Sequence, residues 1–193
     1  GLALELMKDE TQNEEHRQTI RDILNEISRL ERIVKGLFQL GHPKSLQLIE
    51  CTPNDIVERA LNLVSMKAKE KGITIKKDLA CRNTFHVDHE QIEQVVLNLL
   101  INGIEATGSS GEVRVETRSN NGSVEISVSD TGCGVPDDEM ERILQPFYST
   151  KETGTGLGLA ISSRIVEAHK GKLHISSRVG EGSTFVVEIP GDL

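Results

Sequence analysis

The sequence predicts an α+β fold in which helices cover one mixed β-sheet, with a helical segment in front of it. Residues up to about 41 carry a helical heptad pattern, and later residues alternate between helix and strand patterns. Asn120-Asn121-Gly122 also marks a hairpin between two strands. Strands and helices in this order favour a layer of helices packed on a sheet.

The N-terminal segment contains a long amphipathic helix. Its apolar residues recur at spacings of three and four: Ile20, Ile23, Ile27, Leu30, Val34 and Leu37. This spacing is a heptad seam, and Gly41-His42-Pro43 ends the helix. Because one helix cannot bury such a seam alone, we expect a helical hairpin that dimerises. Residues 2–7 would be the end of the first helix of this hairpin. We therefore expect residues 1–43 to form part of the helical hairpin and residues 44–193 to form a second domain.

Helices and strands alternate after this break, with local start and stop signals. Thr52 is a typical N-cap with Pro53 in the first turn, Gly72 ends that helix, and Asp88 caps the next one. The predicted helices span 52–71, 88–107 and 157–169, and the predicted strands span 46–49, 73–77, 83–87, 112–117, 123–129, 172–178 and 183–189.

Charge and composition exclude several classes of function. The net charge of -8 argues against sequence-independent nucleic-acid binding, which needs a basic face. The cysteines Cys51, Cys81 and Cys133 form no CxxC pair, which is typical of reduced thiols in the cytoplasm. No apolar run approaches the roughly 18 residues of a membrane span. We therefore expect a cytoplasmic location without membrane contact, and leave open whether a longer protein is membrane-anchored.

The helix predicted at 88–107 has an apolar centre interrupted by asparagines. Asn98 and Asn102 lie at i and i+4, so they share one face, and Glu105 follows at i+7. A buried asparagine without partners costs about 1–3 kcal/mol. Two alternatives remain open: core asparagines bonded to loop backbone, or a polar stripe facing a ligand, whose amide oxygens could ligate Mg²⁺.

Two glycine-containing loops follow. Asp130-Thr131-Gly132-Cys133-Gly134 ends a strand and suits a carboxylate that accepts a hydrogen bond from a base, although a plain Asp-x-Gly turn is the commoner source of such a sequence. Residues 154–160, Gly-Thr-Gly-Leu-Gly-Leu-Ala, lead into a helix whose first N–H groups can bind phosphate. This loop is neither a dinucleotide fingerprint nor a P-loop, since it lacks the βαβ unit and the Gly-Lys-Ser/Thr ending.

Taken together, these motifs resemble the catalytic domain of sensor histidine kinases. The resemblance covers about residues 45–190 and is closest to the nitrogen-regulator-like subgroup. It implies the Bergerat-type ATP-binding fold shared with gyrase, Hsp90 and MutL, an α/β sandwich of a mixed sheet covered by helices. The matching motifs, in order, are Asn98 with Asn102, the 130–134 loop, Pro146-Phe147-Tyr148-Ser149-Thr150-Lys151, the 154–158 glycines, and Gly182-Ser183-Thr184-Phe185.

The resemblance implies ATP and Mg²⁺ as cofactors and assigns roles by position. Asp130 would accept the adenine amino group, and Asn102 would ligate the Mg²⁺ that bridges the phosphates. Asn98 and Lys151 would act on the phosphates, and residues 135–153 would form a lid over the nucleotide. The remaining nucleotide-binding residues would be Gly132, Gly134, Gly154, Thr155, Gly156, Leu157, Gly158, Leu159 and Thr184.

Two positions depart from patterns in the family. Hydrolysing members of the superfamily place a glutamate where Asn98 stands, as general base for water. An amide cannot take that proton, which favours phosphoryl transfer to a protein over ATP hydrolysis. Many of the kinases carry a lysine three residues after the Mg²⁺ asparagine, but this position is Glu105, so no phosphate contact is assigned to it.

The acceptor motif of these kinases, His-Glu-x-x-x-Pro-Leu, does not occur in the sequence. We expect the acceptor histidine upstream of Gly1. His16 lacks the following proline and is interpreted as a solvated helix residue, and His169, near a helix end, is interpreted as structural.

The function implied by the resemblance is that of a protein-histidine kinase core. It would form a homodimer through the hairpin, transfer the γ-phosphoryl group to a histidine of that dimer, and pass it to a response-regulator receiver domain. A second hypothesis is an anti-sigma-type serine kinase, and the heptad helix argues against it. A third hypothesis is a non-catalytic, ATP-gated interaction module.

Overall fold

The computed structural model describes residues 14–41, 45–151 and 154–191. The helix end expected at residues 2–7 lies outside this part of the chain, so the described N-terminal region is a single long helix. None of the helices within these three ranges is long and apolar enough to cross a membrane.

Four α-helices occur in the described residues, each where the sequence pattern predicts one. Thr52 and Asp88 cap the second and third helices, since their side chains accept the backbone N–H groups of Asp55 and Gln91. The helices are α1 (Glu14–Gly41), α2 (Pro53–Glu70), α3 (His89–Ala106) and α4 (Gly158–Ala168).

The strands of the described chain form two sheets. A short antiparallel pair joins the first and third strands, and the other five form a sheet of order β2-β4-β5-β7-β6, in which β2 runs parallel to β4 and the other neighbours are antiparallel. The strands are β1 (Ile49–Cys51), β2 (Thr74–Leu79), β3 (Phe85–Val87), β4 (Glu112–Asn120), β5 (Ser123–Asp130), β6 (Lys172–Arg178) and β7 (Gly182–Pro190). The expected mixed sheet is therefore confirmed.

The core lies between one face of the larger sheet and the helices α2, α3 and α4. Alternate residues of the central strand β5 are buried, from Val124 through Ile126 and Val128 to Asp130. The centre of α3 supplies completely buried apolar side chains opposite them, including Leu99 and Leu100. Asp130 belongs to the alternate residues of β5 that face the core. The fold therefore places its carboxyl group on the helix-covered side of the sheet.

Helix α1 packs on the remaining structure through its last turns. Gly36 is buried against Leu157 and Ile161, and Ile33 and Leu40 pack against the same core. The heptad residues Ile23, Leu30, Val34 and Leu37 stay exposed by 43%, 53%, 50% and 46%. Helix α1 therefore has two apolar faces, one that packs on α4 and one that no described residue covers.

One strand differs from its predicted position. The sequence predicts a strand at 46–49, whereas β1 begins at Ile49 and pairs with β3 through Ile49 and Val87. The backbone N–H of Gln47 instead donates to the Asp88 carboxylate at 3.2 Å. A distant partner strand fixes this register, and local apolar content does not encode it.

Candidate nucleotide-binding site

A cleft of about 640 Å³ opens between α3, the 130–136 loop, the segment 139–151 and the start of α4. It contains most of the residues singled out in the sequence. Those lining it are Asn98, Asn102, Asp130, Gly134, Lys151, Gly154, Thr155, Gly156, Gly158 and Leu159. Segments distant in the chain thus meet on one concave surface, the usual form of a small-molecule site.

Asp130 ends β5 at one side of this cleft and is only 8% exposed. Its Oδ1 accepts the backbone N–H of Gly132 at 2.8 Å. Burial raises the pKa of the Asp130 carboxyl, and hydrogen bonding from the Gly132 and Ser183 backbones and the charge of Lys151 offset only part of that rise. A carboxylate has about four lone-pair positions, so Asp130 can still accept a hydrogen bond from a bound base.

The two asparagines of α3 have different surroundings. The Asn98 Nδ2 donates to the Ser162 hydroxyl of α4 at 3.0 Å. The Asn102 side chain lines the cleft and makes no hydrogen bond to any residue within the described ranges. Asn98 therefore has a protein partner, whereas the Asn102 amide is available to a ligand.

The glycine loop brings backbone to the cleft where side chains would not fit. Gly156 has a φ of +66°, and a Cβ there would lie 2.3 Å from the Phe147 carbonyl carbon. A Cβ on Gly158 would lie 2.3 Å from the Asn98 Oδ1. This close approach sets the N-terminus of α4, whose first N–H groups donate no hydrogen bond to the side chain at the N-cap position Leu157, beside α3 and the cleft.

Lys151 lies at the cleft in an ion pair with Glu105. The Lys151 Nζ is 2.8 Å from the Glu105 Oε2, and the Lys67 Nζ is 2.6 Å from the Glu105 Oε1. Burial would raise the pKa of Glu105, but hydrogen bonds and charges of the two lysines outweigh burial and lower it. Glu105 is therefore held ionised between two cations.

Three of the expected nucleotide-binding residues do not line the cleft. Gly132 is buried beside Asp130, and Leu157 is buried in the core with 2% exposure. The Thr184 hydroxyl lies 2.9 Å from the Ser129 hydroxyl on the neighbouring strand, while Ser183 and Phe185 line the cleft. Because side chains alternate along a strand, the Thr184 side chain faces away from the cleft and does not line it as expected.

Sequence reasoning missed several residues that line the cleft. Tyr148 lines the cleft, and the Arg142 guanidinium lies 4.6 Å from the centre of the Tyr148 ring. Arg32 reaches the same cleft from α1, although it is more than 60 positions away from the nearest other lining residue. Tyr148 lies in a recognised motif, but no local signal indicates the position of Arg32.

The arrangement suits a ligand with a donor-bearing base and a negatively charged end. Asp130 offers an acceptor at one side, and the start of α4 and Lys151 offer donors and positive charge. The Asn102 amide oxygen is the kind of ligand that Mg²⁺ prefers. No group of three or more His, Cys, Asp or Glu side chains able to hold a metal occurs in the described ranges. A magnesium ion here would therefore draw most of its oxygen ligands from phosphates and water.

Comparison with known proteins identifies relatives that share this region. Residues 87–193 match the family described as histidine kinase-, DNA gyrase B-, and HSP90-like ATPase. The chain is 31% identical over 189 residues to the signal transduction histidine-protein kinase AtoS of Escherichia coli strain K12, which covers 97% of this chain and 31% of AtoS. The chain spans less than half the length of the curated relatives that it matches.

Solved structures show the same fold. Full-length ShkA in complex with AMPPNP is similar with a TM-score of 0.84 and 29% identity, over 97% of this chain and 41% of that one. Histidine kinase ThkA in complex with the response regulator protein TrrA is similar with a TM-score of 0.80 and 30% identity, over 99% of this chain and 56% of that one.

Proposed function

The chain belongs to the family of histidine kinase-, DNA gyrase B- and HSP90-like ATPases, and we propose that it is the ATP-dependent core of a protein-histidine kinase. One observation carries this proposal: Asp130, Asn102 and the amide end of α4 line a single cleft. The ShkA structure with AMPPNP supports ATP as the ligand, since AMPPNP is an ATP analogue.

We assign the adenine to Asp130 and the phosphates to the opposite side of the cleft. The ionised Asp130 would accept a hydrogen bond from the adenine amino group, which a neutral carboxyl or an apolar side chain could not offer in the same way. The N–H groups of Gly156 and Gly158 would hold the phosphates, joined by that of Leu157 once it gives up its 3.4 Å hydrogen bond to the Thr155 hydroxyl, with Lys151 as an additional cation. The buried Gly132 would contribute through its hydrogen bond to Asp130.

Asn102 would ligate the magnesium ion that accompanies ATP. Its side chain lines the cleft without a hydrogen bond to any residue in the described part of the chain. When bound, Mg²⁺ would neutralise charge on the phosphates during transfer. Asn98, bonded to Ser162, would orient the start of α4 beside this ion rather than act as a ligand itself.

The reaction would be phosphoryl transfer to nitrogen. A histidine nitrogen forms a bond to the γ-phosphorus while the bond from that phosphorus to the β,γ-bridging oxygen breaks, and ADP leaves with the electron pair. Such transfer depends chiefly on position and charge neutralisation, which the cleft residues supply. Asn98 cannot remove a proton from water, so hydrolysis has no base at that position.

We also propose that the chain divides into two domains after residue 43 and that it forms a dimer. Residues 44–193 would be the catalytic domain, and residues 1–43 part of a dimerisation hairpin. The exposed seam of α1, which includes Leu30 and Val34, would pack against a second copy of the chain. The complex of ThkA with TrrA supports a response-regulator receiver domain as the final phosphoryl acceptor.

The experiment compares two proteins incubated with γ-labelled ATP and Mg²⁺. One is this chain, and the other extends it upstream by roughly 30 residues of natural sequence, enough for a full first hairpin helix. We expect acid-labile, base-stable label on the extended protein, the stability expected of phosphohistidine. Acid-stable label on serine, or no label despite ATP binding, would overturn the proposal.

A further inference from the structure

The Glu105 carboxylate joins three separate segments at the edge of the cleft. Glu105 lies in the last turn of α3, Lys67 lies near the end of α2, and Lys151 follows the 146–150 segment. The Oε1 contacts the Lys67 Nζ at 2.6 Å and the Oε2 contacts the Lys151 Nζ at 2.8 Å. Each carboxylate oxygen therefore binds one ammonium group, and the three side chains form a cluster with a net charge of +1.

This cluster lies on the phosphate side of the proposed site. Glu105 is on the same face of α3 as Asn98 and Asn102, and all three line the cleft together with Lys151. A lone carboxylate here would repel a triphosphate, because both groups are negatively charged and a cleft screens their repulsion less than bulk water does. The two lysines offset that repulsion, so Glu105 is compatible with an anion site only while both are in place.

Lys151 retains donors for a second partner while it is bound to Glu105. An ammonium group carries three N–H donors, and Glu105 accepts one of them. A flexible lysine side chain otherwise loses rotamer entropy when a ligand fixes it. Because the ion pair with Glu105 already restricts the Lys151 side chain, part of that loss is avoided when phosphate binds.

We propose that Glu105 is a positioning residue that holds the Lys151 ammonium at the phosphate side of the cleft. Glu105 does not touch the nucleotide in this arrangement; it acts through Lys151, and Lys67 compensates its charge. This role rests on the proposed function, because it requires a phosphate-bearing ligand. The opposite arrangement, in which Glu105 competes with the phosphates for Lys151, predicts the opposite change in affinity.

A double-mutant cycle on the whole chain separates these arrangements. Mg-ATP and adenosine affinities are measured by calorimetry for the wild type, Glu105→Gln, Lys151→Met and the double variant. We expect Glu105→Gln to weaken Mg-ATP binding by about fivefold, the scale of one partly exposed ion pair. We expect no further loss when Lys151→Met is already present, and no change in adenosine binding. This coupling is a readout that a purely structural role of Glu105 would not produce.

The matched control is Glu112→Gln. Glu112 is also a carboxylate between two cations, Lys76 and Arg114, but it lies on β4 outside the cleft. Its substitution leaves both affinities unchanged if the effect is specific to Glu105. Unchanged or tighter Mg-ATP binding by Glu105→Gln, or equal losses with and without Lys151, would overturn the proposed positioning role.

A second variant, Glu105→Asp, tests the same role if Glu105→Gln does not fold. Glu105→Asp keeps the charge but cannot span both lysines, so we expect weaker Mg-ATP binding with unchanged adenosine binding. Unchanged Mg-ATP binding by this variant overturns the positioning role. Failure of the wild type itself to bind Mg-ATP would refute the proposed function, which distinguishes that failure from failure of the role assigned to Glu105.

Discussion

The imidazole of His169 accepts a hydrogen bond from the backbone N–H of Asp88 at 3.0 Å through its Nε2. The ring is completely buried, and its Nδ1 lies 2.7 Å from the carbonyl oxygen of Ile165. Since the Nε2 accepts, the proton must be on the Nδ1, which donates to Ile165. His169 therefore ties the end of α4 to the residue that caps α3, and it has no access to a phosphoryl group.

Replacement of His169 by alanine should destabilise the protein by about 2–4 kcal/mol, because it leaves a cavity and an unpaired Asp88 N–H. Urea unfolding followed by circular dichroism measures the change. His174→Ala is the control, since that side chain is exposed and its Nε2 lies 2.9 Å from the Glu188 Oε2 on the protein surface. A change below about 0.5 kcal/mol for His169→Ala would show that the buried hydrogen bonds contribute little.

Asp130→Asn should abolish detectable ATP binding while it stabilises the empty protein. The asparagine amide presents donors where the adenine amino group needs an acceptor, so we expect a loss of affinity of at least about 100-fold. The raised pKa of Asp130 means that its ionised form costs stability at neutral pH. Calorimetric titration and thermal unfolding measure the two effects, and Asp78→Asn, on the exposed edge strand, is the control.

The affinity for ATP should fall on acidification at a pH above the ordinary range of an aspartate. Burial raises the pKa of Asp130, so its carboxylate takes up a proton earlier than an exposed one as the pH falls. A protonated carboxyl is a poorer acceptor for the adenine amino group. Titrations from about pH 7 down to about pH 4, just above the ordinary aspartate pKa of about 3.9, with folding monitored in parallel, test this expectation. A flat profile would mean that Asp130 does not bind the base in its ionised form.

Gly158→Ala should weaken ATP binding by about tenfold, because the start of α4 would move away from α3. The added Cβ would lie 2.3 Å from the Asn98 Oδ1, which cannot give way without losing the bond to Ser162. Gly108→Ala is the control, since a Cβ there meets no atom within 4 Å. Equal affinity for both variants would indicate that the contact between Asn98 and Gly158 does not shape the site.

Leu30→Glu should convert a dimer into a monomer. Leu30 is 53% exposed on the seam of α1 that no described residue covers, and a charge there would be buried between two copies. Sedimentation equilibrium over a range of concentrations measures the association. Leu63→Glu introduces the same charge at an exposed position on α2 and should leave the association unchanged. A wild-type chain that stays monomeric at all concentrations would contradict the proposed dimer.

The sequence predicted the element order and most boundaries because local patterns encode them. The seam on α1, the caps at Thr52 and Asp88 and the turn at Asn121-Gly122 each depend on neighbours in the chain. The predicted β-hairpin between β4 and β5 is confirmed, with both Asn121 and Gly122 at positive φ as a tight turn of this kind requires. The order of the motifs indicated the family, whose match spans residues 87–193.

The nucleotide-site residues remain predictions, although the structure brings most of them to one cleft. Spacing on α3 predicted that Asn98 and Asn102 share a face, but it left open whether either contacts protein. The structure gives Asn98 a partner in Ser162, so the two asparagines do not have equal surroundings. Such a difference depends on the packing of α4 against α3, which no local pattern specifies.

By itself, the sequence determined which elements form, in what order, and which motifs they carry. Only the tertiary structure decided that Thr184 faces Ser129 rather than the cleft, and that the Lys151 ammonium meets Glu105. It also decided that α1 packs on α4 through Gly36. The physical reason is that helix and strand periodicity is encoded within a few residues, whereas strand register and ion pairing depend on groups that folding brings together from distant positions.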